Sequence, residues 1–99
     1  MNNQQKLCID NCLSCATECE ICITECVAKN EEQYQKCIAL CRDCADICTL
    51  CARFYARGSS YSDALCKLCI EICNACATEC EKMGCKKCAE QCRKCAEQC

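Results

Sequence analysis

The 99-residue chain has no histidine, no tryptophan and no proline, with two glycines, one phenylalanine and three tyrosines. The missing histidine takes away the commonest partner of cysteine in mixed zinc sites. The missing proline, with glycine confined to Gly58 and Gly84, favours long uninterrupted helices over a loop-rich scaffold. Large apolar side chains are scarce once the 21 cysteines are set aside, so an ordinary core of Leu, Ile, Val and Phe cannot be assembled and sulfur has to occupy the interior. No apolar run approaches the roughly 20 residues needed to cross a bilayer. The polar start Met1-Asn2-Asn3-Gln4-Gln5-Lys6 carries no signal-peptide stretch. Lys and Arg are scattered and the net charge is −2, which argues against nucleic acid as a partner.

What is abundant is cysteine. At about a fifth of the chain it exceeds the usual mark of a disulfide scaffold. That class expects a secreted chain and an even count, whereas 21 is odd and no leader is visible. A reduced, cytoplasmic protein is the better expectation, and there such spacings point to metal or redox chemistry.

The cysteines fall into four blocks: Cys8, Cys12, Cys15, Cys19, Cys22 and Cys26; Cys37, Cys41, Cys44, Cys48 and Cys51; Cys66, Cys69, Cys73, Cys76 and Cys80; Cys85, Cys88, Cys92, Cys95 and Cys99. Within each block the steps alternate between three and four residues. This is a heptad repeat with cysteine at both core positions, so each helix carries one stripe of thiols. Small or aliphatic residues flank the stripes (Ile9, Ala16, Ile23, Ile38, Ala45, Ala52, Ile70, Ala77, Ala89, Ala96), and charges such as Asp10, Glu20, Lys29, Arg42, Asp46 and Lys94 collect on the far face. Asn30 reads as a cap for the second helix, Gly58-Ser59-Ser60 as a turn, and Met83-Gly84 as the last break. Helices are expected near 4–29, 31–57, 61–82 and 85–99. Short connections make neighbours antiparallel, giving an all-α, up-down-up-down four-helix bundle with a cysteine-lined core in a single domain over 1–99.

Three readings of the stripes compete with metal storage. Cysteine can serve as a small buried hydrophobe, but hardly at every core position of four helices, where it would leave a loosely packed interior. Disulfides between cysteines three or four apart on one helix have poor geometry. Cys-x-x-Cys occurs eight times and suggests thiol–disulfide exchange, yet the reactive form of that motif sits accessibly at a helix N-terminus, and most copies here are mid-helix.

Pure thiolate surroundings select Cu(I), zinc or iron–sulfur. A ferredoxin-type cluster lacks its usual cysteine run. Zinc bound by four thiolates leaves −2 per site, which is costly when several sites stack along a dry axis. One Cu(I) per thiolate leaves the core neutral, and bridging sulfurs allow multiple ions, roughly ten to twenty. A non-enzymatic Cu(I) store is therefore the leading expectation. A general zinc-binding thiolate sponge and a thiol–disulfide oxidoreductase are the alternatives.

In an up-down bundle the 27–36 turn and Met83-Gly84 share one end, and ions are expected to enter there, past Cys26, Cys37, Cys80 and Cys85. Met83 is either a soft ligand at that mouth or an ordinary packed methionine. Phe54, Tyr55, Tyr61 and Leu7 are expected to plug the opposite end. Leu13, Ile21, Leu50 and Leu68 lie off the stripes, either as a contact between protomers or as solitary exposed residues.

The segments Cys41-Arg42-Asp43-Cys44-Ala45-Asp46-Ile47-Cys48, Cys69-Ile70-Glu71-Ile72-Cys73-Asn74-Ala75-Cys76-Ala77-Thr78-Glu79-Cys80 and Cys92-Arg93-Lys94-Cys95-Ala96-Glu97-Gln98-Cys99 resemble the core repeats and last helix of the bacterial copper storage proteins of the cytosolic type. The resemblance spans the whole chain. It implies an inward-facing thiol ladder for Cu(I) and often a homotetramer of bundles. Members of that family often carry histidine where ions enter; this chain has none, so those ligands do not carry over.

Overall fold

The computed structural model describes residues 1–99 and contains four α-helices and no strand: α1 (Asn3–Lys29), α2 (Gln35–Ala56), α3 (Ser62–Lys82) and α4 (Lys86–Gln98), with a short 3-10 turn at Glu32–Tyr34. The helices are consecutive neighbours around a square. α1 packs on α2 and α4, and α3 packs on α2 and α4, which closes an antiparallel four-helix bundle. The bundle is a rod of 42 × 18 × 18 Å.

The heptad phase sets which atoms fill it. Of the 24 buried residues of the core, 19 are cysteine; the others are Ala45, Ile47, Ala52, Ala77 and Ala89. Ile9, Ala16, Ile23, Ile38, Ile70 and Ala96 pack against this core half-buried, forming the aliphatic margin expected beside the stripes. The charged residues of the far face are exposed. Ile47 is the largest aliphatic side chain in the buried set, so the bundle has almost none of the branched packing that usually holds helices together.

The connections differ from expectation in one place. Asn30 does not cap α2. It ends α1 in the left-handed region, φ 50°, donating its backbone N–H to the Val27 carbonyl. Asparagine tolerates this conformation better than most residues, so the same side chain that favours a helix start can serve a helix end. The chain then makes one 3-10 turn before α2 begins at Gln35. At the other two breaks glycine takes the left-handed position, Gly58 at φ 66° and Gly84 at φ 79°. Each is followed by a long backward bond, Ser59 N–H to the Phe54 carbonyl at 3.0 Å and Cys85 N–H to the Cys80 carbonyl at 2.8 Å, which ends the helix in the Schellman manner. The second of these bonds places Cys85, the first thiol of the last stripe, directly over the end of α3.

A signal missed in the sequence is the reciprocal cap at the N-terminus. The Asn2 side chain accepts from Gln5 N–H at 2.8 Å, while Asn2 N–H donates to Gln5 Oε1 at 3.0 Å. The α3–α4 pair is tied by Arg93, whose guanidinium reaches Glu81 at 2.9 Å, Thr78 Oγ1 at 3.2 Å and Asn74 Oδ1 at 3.3 Å.

A Cβ added at Gly84 meets no atom within 4 Å, so substitution there costs backbone strain alone. Gly84→Ala is expected to lower the stability of the metal-free protein by about 1 kcal/mol. Urea unfolding of the reduced protein checks this, and an unchanged midpoint would show that the left-handed position does not matter.

Candidate metal centre

All 21 cysteines are free thiols; 19 are buried, and the two half-buried ones, Cys85 and Cys99, stand at opposite ends of the bundle. The four stripes meet on one axis. Cys15 Sγ lies 3.7 Å from Cys44 Sγ and 3.6 Å from Cys92 Sγ, joining α1 to both of its neighbours in one layer. Cys44 and Cys48 each lie within 3.7 Å of Cys73. Cys48 approaches Cys69 at 3.7 Å and Cys95 at 3.9 Å, and Cys95 approaches Cys12 at 3.7 Å. Above these, Cys41 is 3.7 Å from Cys76 and from Cys80 and 3.9 Å from Cys88, which is 3.8 Å from Cys19.

The two ends are built differently. At the end where α1 meets α2, Cys22 contacts Cys26 at 3.8 Å and Cys37 at 4.0 Å. Cys26 is 3.9 Å from Cys85, and Cys37 is 3.7 Å from Cys80. The structure thus brings together the four thiols expected at the mouth. Met83 is half-buried against the same core. At the far end Cys8 and Cys99 approach to 2.8 Å, Cys12 lies 3.6 Å from Cys99, and Cys66 donates to the Cys99 carbonyl at 2.9 Å. Cys51 joins Cys8, Cys12 and Cys99 there.

The expected plug at this far end is reduced to one residue. Tyr55 packs against the core, but Tyr61 is 70% exposed and Leu7 46% exposed, and Phe54 lies beneath the Arg57 guanidinium. Leu7 sits off the α1 stripe, so its helix phase turns it outward, and Tyr61 lies in the turn just before α3 begins, where its side chain faces solvent. The Tyr55 hydroxyl is pushed up from its ordinary value by burial and by the Cys66 thiol beside it.

The sulfurs form groups in which every pair lies within 4.8 Å, among them Cys8, Cys12, Cys51 and Cys99; Cys12, Cys69, Cys95 and Cys99; Cys15, Cys44, Cys48 and Cys73; Cys15, Cys19, Cys44 and Cys92; and Cys19, Cys76, Cys88 and Cys92. The groups share members. Cys12, Cys15, Cys19, Cys44, Cys92 and Cys99 each belong to two of those just named, and Cys48, 3.7 Å from Cys69 and 3.9 Å from Cys95, joins the first two groups to the other three, so the sites are not separable cages but one continuous column. A metal–sulfur bond of about 2.3 Å places the sulfurs of a tetrahedral site ~3.8 Å apart. The 3.6–4.0 Å contacts along the axis already have this spacing before any ion is present.

Neighbouring thiols in the column shift one another in opposite directions. Hydrogen-bonding contact with Cys15, Cys19, Cys48 and Cys73 holds Cys44 well below the usual thiol range. Cys48 is pushed up by its contacts with Cys12, Cys15 and Cys44. Cys19 holds Cys15 at about 7. What one sulfur gains its neighbour gives up, so the net direction follows burial, which is the leading influence that raises Cys26, Cys37 and Cys66.

Comparisons with known proteins agree with this arrangement. The family model described as copper storage protein matches residues 1–99. No curated protein matches. Among solved structures, the Cu(I)-bound copper storage protein BsCsp3 is 39% identical, with a TM-score of 0.89 over 98% of this chain and 95% of that one. The apo form of copper storage protein 3 from Bacillus subtilis is 41% identical, with a TM-score of 0.84 over 95% of this chain and 92% of that one. A histidine-to-alanine variant of Streptomyces lividans Ccsp is 34% identical, with a TM-score of 0.89 over 97% and 88%.

The raised thiols carry a pH dependence. In the unfolded chain a thiol ionises near ~8.5. A folded thiol held above that value keeps its proton longer, so its contribution to stability is complete below ~8.5 and is lost as pH rises through the folded value. The reduced, metal-free protein is expected to melt at progressively lower temperature between pH 8 and pH 10. Calorimetry under anaerobic conditions checks this, and a melting temperature that rises over that interval would contradict the burial-raised thiols.

Proposed function

From the premise that the chain belongs to the copper storage protein family, we propose that it holds many Cu(I) ions on the thiolates of its bundle core, as a store or buffer rather than a catalyst. The observation that carries this reading is the sharing of sulfurs between adjacent groups along the axis. Shared sulfurs suit a monovalent ion that accepts two or three bridging thiolates. Isolated tetrathiolate zinc sites would each keep a charge of −2, and sharing cannot be avoided in a column where Cys12, Cys15 and Cys19 each serve two groups. The ligands in this reading are all 21 cysteines, from Cys8 and Cys12 on α1 to Cys95 and Cys99 at the end of α4.

A capacity of roughly ten to twenty ions follows, the lower figure for two unshared thiolates per ion and the upper for full bridging. Loading releases protons, because the neutral thiols must become thiolates. A cytoplasmic location suits this chemistry, since the thiols have to stay reduced. No helix is long and apolar enough to cross a membrane. Leu13, Ile21, Leu50 and Leu68 are exposed on the outer faces, which supports association of bundles into the homotetramer expected from the family resemblance.

Anaerobic titration of the reduced protein with Cu(I) against a competing chelator is expected to saturate between about ten and twenty ions per chain, with zinc unable to displace them. Saturation near four or five ions, with zinc displacing copper, would favour a zinc sponge instead. Gel filtration is expected to give a mass several times the 11.0 kDa of one chain. Elution as a single chain would contradict self-association.

A further inference from the structure

α4 starts late: α1 runs 27 residues and α4 only 13, and the first turn of α4 lies beside the Cys22–Cys26 level of α1. The seam between them is open to solvent as a groove of about 260 Å³ on the flank of the bundle. Its floor is sulfur, formed by Cys22, Cys85 and Cys88. Its two walls are charged oppositely, with Glu18 and Glu25 on α1 facing Lys86 and Lys87 on α4. The neighbouring hollows lack this combination. The groove between α3 and α4 around Glu81 and Arg93 contains no thiol, and the hollow at the α1–α2 turn reaches Cys26 but is walled by glutamates without a lysine.

We propose that this flank groove is a docking site for a small zwitterionic peptide thiol that carries Cu(I), and that Cys85 is the thiol that receives the ion. The inference rests on the storage reading and adds where and from what carrier the ion arrives. Two observations support it. Cys85 is one of only two cysteines that are not fully buried, so it is reachable, and it touches the column through Cys26 at 3.9 Å. The paired walls match a carrier that has both carboxylates, for Lys86 and Lys87, and an ammonium, for Glu18 and Glu25.

The exchange balances without an oxidant. Cu(I) arrives between two carrier sulfurs. A bond forms from Cys85 Sγ to copper, one carrier sulfur–copper bond breaks, and the Cys85 proton leaves with that sulfur as a neutral thiol. Cys26 repeats the step and frees the second carrier, and copper remains Cu(I) throughout. From Cys26 the ion passes to Cys22 at 3.8 Å and then to Cys37 at 4.0 Å, where the column begins. The groove therefore supplies a way in that needs no histidine.

The test compares two carriers by stopped flow with the full reduced chain: Cu(I)–glutathione, which is zwitterionic, and Cu(I)–2-mercaptoethanol, which bears no such charges. The ultraviolet copper–thiolate absorbance gives the rate, and its end point gives the capacity. The double charge reversal K86E/K87E is expected to slow transfer from glutathione about tenfold while leaving the mercaptoethanol rate and the final capacity unchanged. The reversal E18K/E25K is expected to slow the glutathione reaction in the same selective way. Equal rates for wild type and both variants, or equal slowing with both carriers, would overturn the groove as a docking site. A low end point in the wild-type protein with mercaptoethanol would instead count against the storage reading itself.

Discussion

Contacts between sulfur atoms along the bundle axis are the interaction on which the rest of this structure depends. Cysteine occupies the seam that leucine or isoleucine would fill in an ordinary bundle, so the atoms that bring the helices together are the atoms available to a metal. A thiol is smaller than a branched aliphatic side chain and contributes less burial. The metal-free protein therefore relies more than most on its margins: the alanine and isoleucine flanks, the Asn2–Gln5 cap, the two left-handed glycines and the Arg93 clamp. Ions bound across helices would supply the cohesion that the core lacks, since each would cross-link two or more helices.

The same constraint explains why the column is continuous. An α-helix places residues three and four apart on one face, about 5–6 Å between Cβ atoms, so a strict three-four ladder leaves no gap along its length. Four such ladders in antiparallel register interleave, and each sulfur acquires neighbours on its own helix and on the adjacent ones. Cys44, for example, lies 3.9 Å from Cys48 on its own helix, 3.7 Å from Cys15 on α1 and 3.9 Å from Cys92 on α4. Distinct closed cages would need gaps between groups of four. Shared sulfurs and low charge per ligand then favour a monovalent soft ion over a divalent one.

Much of this was legible in the sequence because cysteine is both the core pattern and the chemistry. The three-four steps specify helix phase, and phase decides which sulfurs face inward; the flanking Ala and Ile positions followed from the same count. What the pattern did not carry was where the stripes begin and end relative to one another. The Asn30 side chain favours a helix start, while its backbone takes the left-handed end of α1. Position along the chain puts Tyr61 and Leu7 at the far end without giving their direction: both face solvent, and Tyr55 turns towards the core. The flank groove depends on where α4 starts and on charges of two different helices, Glu18 and Glu25 on α1 and Lys86 and Lys87 on α4, being brought face to face, which no single-helix periodicity reports. Partners such as Glu79 with Lys36 at 3.7 Å, or Gln91 with Asn11 at 3.2 Å, are likewise tertiary.

The central claim is that the sulfur column is assembled by the fold before any ion arrives. Far-UV circular dichroism of the fully reduced protein, recorded metal-free and after saturation with Cu(I), tests this most directly. Helical ellipticity that is essentially the same in both states, together with a large rise in melting temperature on loading, is the expected result. A metal-free chain that is mostly unfolded and gains its helices only as copper binds would contradict it.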